Sequence, residues 1–398
     1  MTDDIYIVTH PNAYHVIAEQ VPDFADNILL EPAPKNTAPA IAFAMTELLR
    51  RGADPKELLF VCPADHLIAP NKRFCEIINQ AAAQALQGKI VTFGIRPTKP
   101  ETGYGYIKAD SAEFVEKPDL TTAQKYLASG DYYWNSGMFL FTIETMQKEL
   151  ALYAPNLDKP ISIDYAVMEK SKCVVVVPMD LTWSDVGSWE NIYELLEKDE
   201  QKNVIRGEVV TYETKNSLIF AEKRLVTTIG LDEMIVIETG DVVLVASKKE
   251  SQKVKEIVSQ IKGRTEAIEH VTVSRPWGSF TVLEEGVRFK MKRLSIKPLQ
   301  KLSLQMHYHR SEHWVVVSGT AKVTIQDEEK VVHEGESIFV PKSAIHRVEN
   351  PGKVSLEIIE VQVGEYLGED DIVRFEDVYG RLKDEESFKL LLSKAASR

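Results

Sequence analysis

Gln305, His307, His309, Arg310, Glu312 and His313 fall in one short run, Gln305-Met306-His307-Tyr308-His309-Arg310-Ser311-Glu312-His313-Trp314, which holds three of the chain's nine histidines. On an extended strand successive side chains point to opposite faces. Gln305, His307 and His309 are therefore expected on one face, with Leu304, Met306 and Tyr308 on the other. Glu312 follows closely enough to converge on the same centre. Downstream, Gly335-Glu336-Ser337-Ile338-Phe339-Val340-Pro341 leads to His346 and Asn350. Nitrogen and oxygen donors from two strands suit a borderline cation such as zinc. Any one of these histidines alone reads as a packed or surface side chain. Four of them with a carboxylate in register favour a divalent metal.

The spacing resembles the two cupin motifs. The first is read as Leu299, Gln305-x-His307, Glu312 and Gly319, with Leu in place of a glycine and Gln in place of the first histidine. The second is read as Gly335, Pro341, Ser343 (where a glycine is usual), His346 and Asn350. A shifted register, His307-x-His309 with His313 replacing the glutamate, is the alternative; the first keeps Glu312 and the Gly319 spacing. The resulting set, Gln305, His307, Glu312 and His346, is also the ligand set of metal-dependent phosphomannose isomerases.

These residues need elements to hold them. A chain of 398 residues is expected to form at least two domains. Hydrophobic residues at 44% and charged ones at 27% describe a globular protein. A net charge of −13 argues against a nucleic-acid partner, because no basic field would attract phosphates. The three cysteines, Cys62, Cys75 and Cys173, read as free thiols in a reducing compartment. The acidic N-terminus lacks a signal-peptide pattern and no apolar run reaches membrane-spanning length, so a cytoplasmic location with no membrane partner is expected.

Residues 4–9, 27–30 and 58–62 read as short apolar strands, with helices over about 11–20 and after Asn36 or Thr37 as N-cap. Strands alternating with helices imply an α/β unit with a parallel sheet. Loops at the carboxyl ends of such strands are where ligands bind. Asp65, at one such end, can ligate magnesium, although an Asp after a strand is as often a helix cap. Glycines or polar pairs then accompany strands at Pro100-Glu101-Thr102-Gly103, Phe114-Val115-Glu116-Lys117 and Trp134-Asn135-Ser136-Gly137, which suits a sugar ring. Close-spaced β runs over 203–246 read as a small solenoid or an antiparallel connector. Ser247 with Glu250 reads as a capping box for a helix burying Val254, Ile257, Val258 and Ile261. Thr320 to Gln326 alternates as a half-buried strand should.

In this order the pieces resemble the sugar-nucleotide pyrophosphorylases, specifically the bacterial bifunctional mannose-1-phosphate guanylyltransferase/mannose-6-phosphate isomerase family, from residue 1 to about 380. The resemblance implies a nucleotidyltransferase-like (Rossmann-like), mostly parallel sheet over 1–200, a β connector and linker helix over 201–271, and an all-β cupin barrel over 272–398. It implies Asn36 and Thr37 on the nucleotide side. Glu101, Thr102, Gly103, Glu116, Lys117, Asn135 and Gly137 would line a mannose 1-phosphate site. Asp65 and Asp185, the latter in Trp183-Ser184-Asp185-Val186-Gly187-Ser188-Trp189, would bind Mg²⁺. Two carboxylates on Mg²⁺ fit nucleotidyl transfer. The family normally opens with a Gly-Gly-x-Gly-x-Arg-Leu-Trp-Pro loop and a Pro-Lys-Gln segment, and neither occurs here. The expectation is an N-terminally incomplete nucleotide unit beside an intact isomerase half.

The cupin half is expected to interconvert mannose 6-phosphate and fructose 6-phosphate with Zn²⁺ or another divalent metal on Gln305, His307, Glu312 and His346. His309 or His313 is the expected proton carrier, and Arg310 and Arg374 are expected to meet substrate charge. The other partners implied are mannose 1-phosphate, GTP and GDP-mannose, with a homo-oligomer allowed. The alternative is a non-catalytic sugar-phosphate-binding or assembly subunit, which would bind without turnover.

Overall fold

The computed structural model describes residues 4–268 and 270–379. Residues 380–398 lie outside the described residues. The chain forms two compact units. One comprises Met1–Phe220 with Thr227–Val236 and Val245–Gln252; the other comprises Ala221–Val226, Ile237–Leu244 and Lys253–Arg398.

In the first unit β1 (Ile7–Thr9) pairs in parallel with β2 (Ile28–Leu30), with α1 (Tyr14–Gln20) between them. Asn36 caps α2 (Thr37–Arg50), its Oδ1 accepting the Thr37 N–H at 2.8 Å. Ala38, Ile41, Met45 and Leu48, at helical spacing, turn one face of α2 into the core. There follow β3 (Leu58–Val61), β4 (Leu67–Ala69), α3 (Asn71–Leu86), β5 (Ile90–Ile95), β6 (Tyr106–Lys108), β7 (Phe114–Val115), α4 (Leu120–Ser129), β8 (Tyr132–Thr142), α5 (Ile143–Tyr153), β9 (Val174–Met179), β10 (Thr182–Ser184) and α6 (Trp189–Leu195).

The main sheet runs β7-β6-β8-β5-β9, with β3 also on β8. Here the expected mostly parallel sheet is corrected. Within it β5 and β9 are parallel, but β8 runs antiparallel to β3, β5 and β6. An apolar run identifies a buried strand without giving its direction. The eleven residues of β8 are long enough to serve three partners, and that one reversed strand sets most pairings.

The connector holds β11 (Val204–Arg206), β12 (Val209–Tyr212), β13 (Leu218–Ala221), β14 (Val226–Ile229), β15 (Met234–Glu238) and β16 (Val243–Ser247). The parallel pairing of β11 with β13 favours the solenoid reading over the antiparallel one. The helix expected to start after Ser247 starts later. Ser247 ends β16, Lys248–Lys253 is a 3-10 turn, and α7 (Val254–Gln260) has no side-chain cap, with Ile257 and Val258 half exposed.

The second unit's barrel holds β17 (Thr272–Arg275), β18 (Gly278–Gly286), β19 (Phe289–Ile296), β20 (Leu304–His307), β21 (Arg310–Ser318), β22 (Thr320–Ile325), β23 (Glu328–His333), β24 (Ser337–Val340), β25 (His346–Glu349), β26 (Leu356–Gly364) and β27 (Ile372–Glu376). One sheet runs β17-β18-β19-β26-β21-β24, the other β23-β22-β25-β20-β27. Trp314, Val316, Val323, Val348, Leu356 and Ile358 fill the space between them. Trp277 is buried beside Gly278, where an added Cβ would lie 1.9 Å from the Ser295 carbonyl oxygen. The two residues standing where cupin motifs place glycine keep its backbone: φ is +61° at Leu299 and +60° at Ser343.

Candidate functional site

β20, β21 and β25 bring His307, Glu312 and His346 together, each no more than 2% exposed. One ligating atom from each lies within 4.8 Å of the others. His307 Nε2 is 3.1 Å from Glu312 Oε1, and His346 Nε2 is 3.6 Å from Glu312 Oε2. The His346 Nδ1–H donates to the Ala344 carbonyl at 2.9 Å, which leaves Nε2 as a lone-pair donor facing inward. Burial raises the Glu312 carboxyl, but His307, His346 and Arg310 more than offset this and hold it well below the usual range. Burial pushes the His346 imidazole down. A neutral imidazole and an ionised carboxylate are the ligating forms.

Gln305 is in register with His346 and with Arg374 on β27, and its Oε1 accepts the Ser303 hydroxyl at 2.9 Å. Gln305, Arg310, Glu312 and Arg374 line one cavity of about 50 Å³. Buried Arg310 donates from Nε to Glu312 Oε1 and from Nη1 to the Gly368 carbonyl, each at 3.1 Å.

The two expected proton carriers are not brought there. β20 ends at His307, so the alternation does not reach His309, which lies in the following turn with its Nδ1 2.7 Å from Asp371 Oδ1 and its side chain 57% exposed. His313 follows Glu312 on β21 and takes the opposite, outer face against Phe339. This also disposes of the shifted register.

Three groups in the cavity were missed. Lys292 on β19 shares a face with Leu294 and Ile296, and a lysine in the apolar phase of a strand was the available signal. Glu360 accepts from Trp314 Nε1 at 3.1 Å and from Gln362 Nε2 at 3.0 Å; burial and the Glu312 charge push it up to about 8. Glu369, in the turn before β27, reaches Lys292. A larger cavity of about 410 Å³, lined by Val323, Ile325 and Phe339 among others, contains none of the ligating residues.

In the first unit the antiparallel pairing of β4 with β10 places Asp65 and His66, just before β4, at the same end as Asp185, just after β10. Three donors converge on Asp185 Oδ1: Tyr104 OH at 2.7 Å, Asn191 Nδ2 at 2.8 Å and Gly187 N at 3.1 Å. None of these three donors uses its Oδ2. Asp65 is largely exposed, 4.0 Å from His66 Nε2, and the Trp183 indole N–H donates to His66 Nδ1 at 3.3 Å.

β8 carries Asn135 and Gly137 beside them. A Cβ on Gly137 would contact Pro63 and His66. Asn135 Oδ1 accepts from Gly137 N at 3.1 Å and Thr92 Oγ1 at 3.3 Å, and its Nδ2 donates to Asp164 Oδ1 at 3.1 Å, which fixes the amide. Glu116 pairs with Lys117 at 2.9 Å and stands so close to Gly105 that a Cβ there would lie 2.7 Å from its Oε2. Glu101 holds Gly103 N at 3.1 Å and Lys99 at 3.2 Å, and Thr102 is exposed beside it. Asn36 and Thr37 are engaged structurally: Asn36 caps α2, and Thr37 Oγ1 accepts the Ile163 N–H at 2.8 Å.

Two aspartates at one end of the β4–β10 pair on an α/β unit and a buried His-Glu-His centre in a cupin barrel define a two-site protein of the sugar-nucleotidyltransferase and cupin type. The chain matches the nucleotidyl transferase family over 1–202, the mannose phosphate isomerase/GMP-like β-helix domain over 207–261, and the mannose-6-phosphate isomerase C-terminal family over 262–377. It is 51% identical to the xanthan biosynthesis protein XanB of Xanthomonas campestris pv. campestris, covering 89% of this chain and 83% of that one. It is 45% identical to the mannose-1-phosphate guanylyltransferase of Escherichia coli K12, covering 92% and 86%. A solved structure of mannose-1-phosphate geranyltransferase from Thermus thermophilus superposes with a TM-score of 0.56 at 32% identity, covering 64% of this chain and 83% of that one. The chain belongs to the bifunctional mannose-1-phosphate guanylyltransferase/mannose-6-phosphate isomerase family.

Proposed function

We propose that the cupin unit interconverts mannose 6-phosphate and fructose 6-phosphate with Zn²⁺ or another divalent metal held by the two imidazoles and two oxygen donors of Gln305, His307, Glu312 and His346. The observation that carries this is the pair of buried, unpartnered ligating atoms, His346 Nε2 and Glu312 Oε2. Isolated polar atoms are costly to bury, and a cation relieves both at once. A bound divalent metal supplies positive charge for the substrate oxygens as negative charge develops. The protein's own groups do the rest. Arg310 holds Glu312 in place and, with Arg374, presents positive charge to the substrate anion. The reaction moves a proton between C2 and C1, and a carrier must stand within hydrogen-bond reach. Lys292, Glu360 and Glu369 line the cavity; His309 and His313 do not. The test is mannose 6-phosphate turnover by the full chain. It should vanish on chelation and in His307→Ala; turnover indifferent to both would remove this ligand set.

The first unit supports a second activity, GDP-mannose formation from mannose 1-phosphate and GTP with Mg²⁺ on Asp65 and Asp185. The convergence of these carboxylates at one end of the β4–β10 pair favours it. The chain incubated with both substrates and Mg²⁺ should form GDP-mannose, and Asp185→Asn should not; product from both proteins would discard Asp185 as a ligand. Together these activities place the protein in GDP-mannose supply for polysaccharide synthesis in the cytoplasm. Among the described residues no helix is long and apolar enough to cross a membrane.

A further inference from the structure

The cavity beside the cupin centre is walled by cations. Arg275, Lys292, Arg310 and Arg374 all line it. Lys292 is 4% exposed and lies over the Phe280 ring at 4.5 Å, with the Arg275 guanidinium 5.3 Å from the same ring. Three acidic residues share these walls. Glu312 belongs to the metal centre, and Glu360 is engaged by Trp314 and Gln362. The third, Glu369, comes from the short turn Glu369–Asp371 and places Oε1 2.5 Å from Lys292 Nζ. Burial raises the Glu369 carboxyl, yet Lys292, Arg310 and Arg275 together hold it below its ordinary value, so all three cations act on this one carboxylate.

The space that remains is about 50 Å³. That is room for one or two waters, at roughly 30 Å³ each in the liquid. Sites for small organic ligands are larger, roughly 300–1,000 Å³. A hexose phosphate cannot be seated against Lys292 while Glu369 stays where it is. The two partners differ in freedom to move. The Glu369 side chain is 43% exposed and has solvent to swing into, whereas the Lys292 side chain, at 6%, has none. The backbone on either side is anchored: Gly368 O accepts from Arg310, and Asp371 accepts the Tyr308 and His309 N–H groups at 3.3 and 3.1 Å. A rotation of the Glu369 side chain therefore vacates the carboxylate's own place beside Lys292 without moving these anchors.

We propose that the Glu369 carboxylate occupies the seat of the substrate's phosphate, with Lys292, Arg310 and Arg275 as its cations, and that a phosphate-bearing ligand binds by displacing it. This rests on the isomerase reading of the same cavity and adds to it a phosphate subsite and a resident competitor. A phosphate monoester carries nearly twice the charge of a carboxylate and three acceptor oxygens, so the exchange favours it on a site of several cations. Glu369 then sets the affinity threshold: anions of single charge are turned away, and the buried lysine is never left without a counter-ion.

The test is calorimetric titration of inorganic phosphate into the full chain, with the KM for mannose 6-phosphate measured in parallel. Glu369→Gln should bind phosphate about tenfold more tightly than the wild type, the size expected for removal of one competing charge-assisted pair, and should lower KM. Lys292→Met should abolish phosphate binding in both backgrounds. Glu369→Asp, which keeps the charge on a shorter stem, should fall between and serves if Glu369→Gln folds poorly. Equal or weaker phosphate binding by Glu369→Gln and Glu369→Asp overturns the proposal, as does a collapse of kcat at unchanged KM. If Glu369→Gln gains phosphate affinity while no variant turns over mannose 6-phosphate, the seat stands and the isomerase reading falls.

Discussion

His346 Nε2 and Glu312 Oε2 face one another at 3.6 Å inside the barrel, and neither has a hydrogen-bond partner among the described residues. A ligand that binds only the folded form stabilises it by mass action. Zinc at a free concentration 100-fold above its Kd should stabilise the cupin unit by about 2.7 kcal/mol. Thermal melts with zinc and after chelation should differ accordingly, and the difference should disappear in His346→Ala.

The inward side of β20 and the outer face of β21 make opposite predictions for His307 and His313. His307→Ala should lower isomerase turnover by more than the roughly 10–100-fold that loss of a merely supporting residue costs. His313→Ala, on the outer face, should stay within ~twofold, as surface changes do. A severe loss in His313→Ala would restore it as the proton carrier.

Leu299 holds φ at +61° with its side chain 73% exposed, so strain is present and little packing offsets it. The left-handed region costs a residue with a Cβ roughly 1–2 kcal/mol, partly returned by glycine's greater freedom in the unfolded chain. Leu299→Gly should stabilise the barrel by about 0.5–1 kcal/mol. Gly319→Ala should do the reverse, because φ there is +91° and the new Cβ would lie 3.2 Å from the Ser355 carbonyl oxygen. Urea midpoints of the two variants should move in opposite directions.

Asp164 should make the first unit more stable as pH falls from 8 toward 4. Burial, then repulsion from Glu116, raises its carboxyl from 3.8 to about 6. Its charged form is disfavoured in the fold, so the folded state takes up a proton below 6 that the unfolded chain takes up only near 4. Asp164→Asn should gain of order 2–3 kcal/mol at pH 8, and the gain should shrink to nothing by pH 4. Parallel pH profiles of the two proteins would rule this out.

The buried His-Glu-His cluster could be read from the chain because its residues obey two local rules. His307 and Gln305 are two apart on one strand, and Glu312 and His346 sit at fixed offsets in motifs whose positive-φ turns persist even at Leu299 and Ser343. His309 defeated the same rule because β20 stops two residues earlier, and periodicity does not announce where a strand ends. Lys292 and Glu369 come from opposite ends of the cupin sequence and meet only when the barrel closes. In the first unit Asp65 and Asp185 were legible as a resemblance. Tyr104 and Asn191, which hold Asp185 in place, lie on separate segments with ordinary local sequence.

The reversed strand β8 also dictates when the first unit can assemble. Leu58 of β3 pairs with Thr142, and Val91 of β5 with Leu140, so neither earlier strand has its partner until β8 has left the ribosome. At roughly 5–20 residues per second that delay lasts several seconds. Through it β5, buried along its whole length in the finished sheet, offers an open apolar edge to other nascent chains. One hazard for this half of the protein therefore lies in its birth on the ribosome, where chaperone supply should raise its yield.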